Sequence, residues 1–399
     1  MAVLHDPWHV NKMTALLWEE GPLDYGTESV RIRTQRKLHS RLSAAHALQA
    51  AAAVEDCLMS RIPIAILGAT GMVGQRMIQL LQDHPWFDIA FLAASPRSAG
   101  RPYRDAAPWR LSGDIPDSVA DQIVQSCDPA ALPDGIRLVL SALDARAAYT
   151  IEARFRDAGC LVVTNASAFR MDPTVPLIVP EVNADHLALI DQQPGTGAII
   201  ANPNCCTIPL AMALAPLHRR WGVEALTVAT WQAVSGAGYP GESAWDMIGS
   251  VHPHPGNEED KLTEEPLKIL GDINTPADFV VSARCVRVPV ADGHLLGVHV
   301  RLTGAPSAEE VAAEMAGWTG GALALPSCPQ PPLRLVTRRD RPATRFDVDA
   351  GGGMAVTIGR IEPCPVMGVK FYALSHNTIR GAAGAALANA ELLCSRGLL

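Results

Sequence analysis

The run from Ile62 to Gly74 constrains the fold more than any other part of the chain. Ile62-Pro63-Ile64-Ala65-Ile66-Leu67 has the near-continuous apolar character of a strand buried on both faces. Gly68-Ala69-Thr70-Gly71-Met72-Val73-Gly74 follows and leads into a helix through Leu81. Strand, glycine turn and helix in this order open a doubly wound parallel sheet and supply the context that a dinucleotide-binding loop requires. There the glycines let the backbone approach a pyrophosphate resting on the helix N-terminus. The spacing is GxxGxxG rather than GxGxxG. Tight strand-to-helix turns also use glycine for packing, so the order of elements carries more weight than the spacing.

The next strand, Phe87 to Ala94, bears on which dinucleotide fits. An NAD site usually ends this strand on an acid that holds the ribose 2′-hydroxyl. Here the chain continues Ala94-Ser95-Pro96-Arg97-Ser98-Ala99-Gly100-Arg101. With no carboxylate to repel it, and an arginine and hydroxyls to receive it, a 2′-phosphate fits better, which favours NADP. Further apolar runs at Ile136–Leu140, ending at Ser141, and Cys160–Val163, ending at Asn165, place polar residues at strand ends, where open parallel sheets bind ligands. Arg170 follows in the next loop and reads either as surface charge or as a binder of an anionic substrate.

A chain of 399 residues has room for two domains and a sizeable core. A net charge of −8 argues against nucleic acid as the main partner, and no apolar run reaches bilayer length. Its nine cysteines are scattered and show no zinc spacing, which suits reduced thiols in a cytoplasm. Residues 1–61 mix acids, a basic patch and an alanine run, and read as a poorly ordered extension with one helix over residues 38–56.

Asn202-Pro203-Asn204-Cys205-Cys206-Thr207 precedes an apolar run from Ile208 to Leu217. Ile208, Ala211, Met212 and Ala215 form one stripe at helical spacing, so the run reads as an amphipathic helix with Asn204 as N-cap. Cys205 then sits in or beside the first turn, where the helix dipole favours a thiolate. Cys206 reads as a small core hydrophobe. Ala225 to Ala233 alternates like a strand and delivers Gln232 just before Ser235-Gly236-Ala237-Gly238. Glu258-Glu259-Asp260-Lys261 opens a helix to Leu270, and Glu258 and Lys261, three apart, read as an exposed ion pair. Arg287 and His294 flank a turn at Ala291–Gly293 in a hairpin-like segment, as anion binder and proton-transfer group.

Taken together, GATGMVGQR, SPRSAG, NPNCCT, QAVSGAG, EEDK, RVPVADGH and SHNTIRGAAG resemble, in order, the aspartate-β-semialdehyde dehydrogenase family, in the form found in archaea and fungi. The resemblance covers residues 62–394. The Cys205-Cys206-Thr207 step departs from the family's Cys-Ser/Thr, and the first cysteine is taken as the nucleophile.

The resemblance implies that Cys205 forms an acyl-enzyme, with His294 as general acid/base and Gln232 orienting the substrate. Arg287 would bind the substrate α-carboxylate and Glu258 its amine. Arg170 and Lys261 would bind phosphate, with Asn165 beside them. Gly68, Thr70, Gly71, Met72, Val73, Ser95, Arg97, Ser98, Ser141, Ser235, Gly236 and Asn377 would contact NADP. The implied reaction is reductive dephosphorylation of L-aspartyl-4-phosphate to L-aspartate-4-semialdehyde, on the route to lysine, threonine and methionine. The alternatives weighed against it are a malonyl-CoA reductase-like enzyme, N-acetylglutamyl-phosphate reductase and a non-catalytic paralogue. The expected architecture is an α/β, Rossmann-type NADP domain over residues 62–204, completed by a C-terminal helix within 372–399. An α+β catalytic and dimerisation domain with a mixed sheet would span 205–371, in a homodimer or homotetramer. No metal is expected.

Overall fold

The computed structural model describes residues 61–253 and 255–399. The expected extension and its helix over 38–56 lie outside the described residues, apart from Arg61. The first sheet comprises β1 (Ile62–Leu67), β2 (Phe87–Ala94), β3 (Gln125–Ser126), β4 (Leu138–Ser141), β5 (Leu161–Thr164) and β6 (Ala198–Ala201), with α1 (Met72–Leu81) between β1 and β2. Its order is β3-β2-β1-β4-β5-β6 and every pairing is parallel. Ile64, Ala65, Ile66 and Leu67 are fully buried, as a strand covered on both faces requires. Helix α2 (Ala145–Asp157) covers the sheet beside β5 and is capped by the Asp144 carboxylate, which accepts the Arg146 and Ala147 amides at 3.1 Å each.

Helix α3 (Thr207–Trp221) leads to the second sheet, formed by β7 (Val223–Gln232), β8 (Val280–Arg287), β9 (His294–Leu302), β10 (Leu333–Val336), β11 (Val356–Cys364) and β12 (Gly368–Ser375). Helix α4 (Glu258–Leu270) separates β7 from β8, and α5 (Ala308–Gly317) follows β9. The order is β10-β11-β12-β9-β7-β8, with parallel pairing only at the two edges, β10–β11 and β7–β8. Two sequence expectations change here. The Arg287–His294 segment is not a hairpin, because β7 lies between β8 and β9, parallel to one and antiparallel to the other. Nor is α3 amphipathic over its first three turns: Thr207 to Leu217 are all buried, because α4, α5 and the second sheet enclose it.

The two-residue period of the second sheet sets the direction of its polar residues. In β7, Leu226, Val228, Thr230 and Gln232 point into the core, while Thr227, Ala229 and Trp231 point outward or sit half-buried. In β8 the inward row is Ala283, Cys285 and Arg287, and in β9 it is His294, Leu296, Val298, Val300 and Leu302. Gln232, Arg287 and His294 are therefore the terminal members of the inward rows of three adjacent strands. After β12 the chain forms one π-type turn, Ile379–Ala383, and then α6 (Gly384–Ser395), a helix buried nearly all round that packs back onto β4 and β5 of the first sheet. Among the described residues, no helix is long and apolar enough to cross a membrane.

Candidate active site

Gln232 and Arg287 are paired by register at the ends of β7 and β8, and the Arg287 Nη1 donates to Gln232 Oε1 at 3.0 Å. The Gln232 amide turns its nitrogen toward Thr230 Oγ1 at 3.2 Å and Glu258 Oε2 at 3.5 Å. Glu258 comes from the first turn of α4, accepts Asn204 Nδ2 at 2.8 Å and pairs with Lys261 at 2.7 Å. The ion pair expected from spacing does form, but it is largely buried rather than exposed and lies beside Cys205. Burial works against the ionised Glu258, yet the Lys261 ammonium and the Asn204 amide hold its carboxyl below the usual range.

Cys205 lies in the turn just before α3, half-buried. The helix begins at Thr207, so Asn204 is not its N-cap. Asn204 Oδ1 instead accepts the Cys206 amide at 2.9 Å and stabilises the preceding turn. The sulfurs of Cys205 and Cys206 and a ring nitrogen of His294 lie within 4.8 Å of one another. Nδ1 of that ring accepts the Ala233 amide at 3.0 Å, and Nε2 is buried without a protein partner, so Nε2 is the atom left for the thiols. The Cys206 thiol, as hydrogen-bond partner, holds Cys205 well below the ordinary thiol range against the cost of burial, and His294 adds to the effect. Burial and the neighbouring sulfur push Cys206 well up, so Cys205 ionises first. A helix dipole is not the main cause.

Arg170 is buried and already engaged: Nη1 pairs with Glu265 at 2.9 Å and Nη2 donates to the Asn165 carbonyl at 2.7 Å, while Nε has no partner. The Asn165 side chain bridges the Ser141 carbonyl at 3.1 Å and Asn202 at 3.0 Å. Glu265 escaped the sequence reading. Its second oxygen accepts the Asn204 amide at 2.6 Å, so one carboxylate joins Arg170 to the loop that carries Cys205. The available signal was its place seven residues after Glu258, on the same buried face of α4 as Leu262.

Around the glycine turn, Gly68 has φ +73°, and a Cβ there would meet the Ala142 carbonyl oxygen at 2.6 Å. A Cβ on Gly74 would meet the Gly68 oxygen at 2.3 Å. These two glycines serve packing, and Gly71 is the one that opens toward a ligand. It is the N-cap of α1, with no side-chain cap and no acid in the first turn, and Val73 follows in that turn. Thr70, Gly71, Met72, Ser95, Arg97, Ser98 and Arg101 line a cavity of about 420 Å³ that no carboxylate enters. It shares Met72, Arg110 and Tyr239 with a second cavity of about 690 Å³ that reaches Ser235. Asn377 Nδ2 donates to Ser235 Oγ at 2.8 Å and its Oδ1 accepts the Gly293 amide at 2.8 Å. Gly236 lies against Arg287 and His294, since a Cβ there would stand 2.8 Å from Arg287 Nη1 and 3.0 Å from His294 Nε2. Ser141 is buried at the end of β4.

Residues 63–190 match the family model described as semialdehyde dehydrogenase, NAD binding domain, and residues 214–380 match the semialdehyde dehydrogenase dimerisation domain. The chain is 44% identical over 347 residues to an aspartate-semialdehyde dehydrogenase of Archaeoglobus fulgidus, covering 85% of this chain and 100% of the relative. It is 42% identical over 354 residues to the enzyme of that name from Schizosaccharomyces pombe, covering 84% and 99%. Among solved structures, aspartate semialdehyde dehydrogenase with NADP from Candida albicans matches with a TM-score of 0.79 at 39% identity, covering 85% of this chain and 100% of that one. Aspartate semialdehyde dehydrogenase II complexed with ASA from Vibrio cholerae matches at 0.68 and 29%, covering 84% and 98%.

Proposed function

The chain belongs to the aspartate-semialdehyde dehydrogenase family, and from that premise we propose that Cys205 carries the acyl group in NADP-dependent conversion of L-aspartyl-4-phosphate to L-aspartate-4-semialdehyde. The observation that carries the proposal is the meeting of Cys205, His294, Gln232, Arg287 and Glu258 at one end of the second sheet. The division of labour proposed is residues 62–204 with 372–399 for the cofactor, and 205–371 for the chemistry.

The residues present fit NADP. The uncapped start of α1 offers free N–H groups to a diphosphate, and Arg97, Arg101, Ser95 and Ser98 offer a carboxylate-free cradle to a 2′-phosphate. Ser235, Gly236 and Asn377 would position the nicotinamide end. When bound, NADPH supplies the hydride that reduces a thioester.

The Cys205 thiolate attacks the acyl phosphate carbon, phosphate leaves, and a thioester remains on the sulfur. A thioester accepts hydride far more readily than a carboxylate, which is why the covalent step is needed. Reduction gives the aldehyde and returns the electron pair to sulfur. His294 Nε2 faces the sulfur through this cycle. Arg287, held by Gln232, receives the α-carboxylate, and Glu258 receives the amine. Lys261 and Arg170 lie on the phosphate side, Arg170 through its unpartnered Nε, with Asn165 fixing it through its carbonyl oxygen.

Purified protein supplied with aspartate semialdehyde, phosphate and NADP should form NADPH in a phosphate-dependent reaction, with an adduct mapping to Cys205. No phosphate dependence would overturn the reading. A CoA thioester such as malonyl-CoA offers no amine to Glu258 and should be a far poorer substrate than aspartyl phosphate. We also propose a cytoplasmic homodimer, or a tetramer of dimers, formed through the outward face of the second sheet. There Trp231 and Tyr372 sit with ring centroids 6.3 Å apart, and Val280 is exposed. Analytical ultracentrifugation checks this.

A further inference from the structure

Two exposed side chains 129 residues apart, Arg110 and Tyr239, meet where the two cofactor cavities join. Arg110 follows the short helix Tyr103–Ala106, and Tyr239 follows β7. The Arg110 guanidinium carbon lies 4.3 Å over the centre of the Tyr239 ring, and Nη2 donates to the Tyr239 hydroxyl at 2.9 Å. The backbone beneath Arg110 is pinned to the glycine turn by Gln75, a buried residue of α1. Gln75 Oε1 accepts the Arg110 amide at 2.9 Å, while Nε2 donates to the carbonyls of Thr70 at 2.9 Å and Pro108 at 3.2 Å. An exposed cation–π contact scarcely offsets the rotamer entropy of an arginine, so stability is a weak account of this pairing.

Position supplies a better one. Arg97 and Arg101 line only the first cavity and Arg76 only the second, whereas Arg110 is the guanidinium common to both. Met72, which also lines both, is the first residue of α1, where the uncapped N–H groups lie. A dinucleotide reaching from the Arg97 and Ser98 cradle to Ser235 therefore passes Arg110 with its diphosphate. We infer that Arg110 is a diphosphate ligand of the cofactor, held over the passage between the cavities by Tyr239. The inference rests on the cofactor site proposed above. A guanidinium has five N–H donors, and Tyr239 engages one, which leaves four for phosphate oxygens. Glu242 and Asp292 line the second cavity, but among the described residues neither pairs with Arg110, so its charge is uncommitted. The start of α1 offers a doubly charged diphosphate only a partial positive charge, and Arg110 adds a full one. Arg110 thus binds what NADP and NAD share, and leaves the choice between them to the 2′-phosphate cradle.

The test is isothermal titration of the purified full chain, without substrate, with NADP, NAD and adenosine 2′-monophosphate. The last carries the 2′-phosphate but no diphosphate. Arg110→Ala should weaken NADP and NAD by the same factor, about tenfold or more, and leave adenosine 2′-monophosphate unchanged. Tyr239→Ala should weaken both dinucleotides by roughly two- to fivefold, the worth of an exposed cation–π contact, and again spare the mononucleotide. A loss confined to NADP would place Arg110 at the 2′-phosphate and overturn the inference. Unchanged binding in Arg110→Ala would reduce the pair to surface contact, and equal loss of all three ligands would reduce it to packing. Each of these results presupposes that the unsubstituted chain binds the dinucleotides. A chain that bound neither would strike the cofactor site itself, and the inference with it. Binding is read without turnover, so a failure of the proposed reaction leaves the result intact.

Discussion

Gly381 stands directly behind Cys205: a Cβ added to Gly381 would lie 2.7 Å from the Cys205 Cβ and 3.0 Å from its Cα. The π-type turn Ile379–Ala383 is therefore the wall against which Cys205 rests. Gly381→Ala should push Cys205 out of line with His294 and lower kcat/KM by about 100-fold, the scale of an ångström-level misplacement. Steady-state kinetics beside a thermal melt check it. A large loss of melting temperature with unchanged activity per folded molecule would contradict it.

Cys206 is the largest influence that lowers the Cys205 thiol, and burial opposes it. The proposed chemistry needs the thiolate, which is present above the folded pKa of Cys205 and lost as pH falls through it. Cys206→Ala should therefore move the acid limb of kcat/KM toward alkaline pH, while Cys206→Ser, which keeps a donor, should move it less. The pH dependence of iodoacetamide alkylation at Cys205 reads the same shift without substrate. An unmoved limb in Cys206→Ala would remove Cys206 from the mechanism.

Local pattern made β1, β2, β4, β5 and the strand end that carries Gln232 readable. The apolar run Ile62–Leu67, the glycine turn and the alternation of β7 each act over a few residues, so period and turn chemistry identify them. Strands β3, β6 and β8 and helix α2 were not read, because β3 has two residues and β6 four, β8 mixes Arg284 and Ser282 with apolar residues, and α2 is rich in charge. The hairpin reading failed for a tertiary reason: nothing in residues 287–302 states that β7 inserts between β8 and β9. Pairings distant in sequence, such as Glu265 with Arg170 and Ala233 with His294, have no local signature at all. The start of α3 was misplaced by two residues because Asn204 does satisfy an orphan amide, but in the turn ahead of the helix.

Arg97 and Arg101 line the cavity at the end of β2, where an NAD site would present an acid. Arg97→Ala should weaken NADP binding by roughly 1.5–3 kcal/mol, the range for a hydrogen bond to a charged group, and so by about tenfold or more. Binding of NAD, which lacks the 2′-phosphate, should change little. Titration of both dinucleotides by intrinsic fluorescence gives the ratio, and an equal loss for both would assign Arg97 to packing. Arg101→Ala should act in the same direction.

Arg380 and Glu181, far apart in sequence, form a fully buried two-pronged pair at 2.7 and 2.6 Å, and Arg380 immediately precedes the Gly381 wall. Arg380→Ala strands a buried carboxylate and should cost about 3–5 kcal/mol, measured as the shift in denaturant midpoint. Replacing both partners, as in Glu181→Leu with Arg380→Met, should recover most of that loss, because no charge is left unpaired. Burial opposes ionisation of Glu181, but Arg380 holds its carboxyl below the ordinary range. The stability from this group is therefore full above the unfolded carboxyl value of about 4.3, and it is lost as pH falls through the lower folded value. In the doubly substituted chain that acid-side loss should shrink. Should it persist unchanged, another carboxylate governs acid unfolding, and the wall behind Cys205 is not held by this pair.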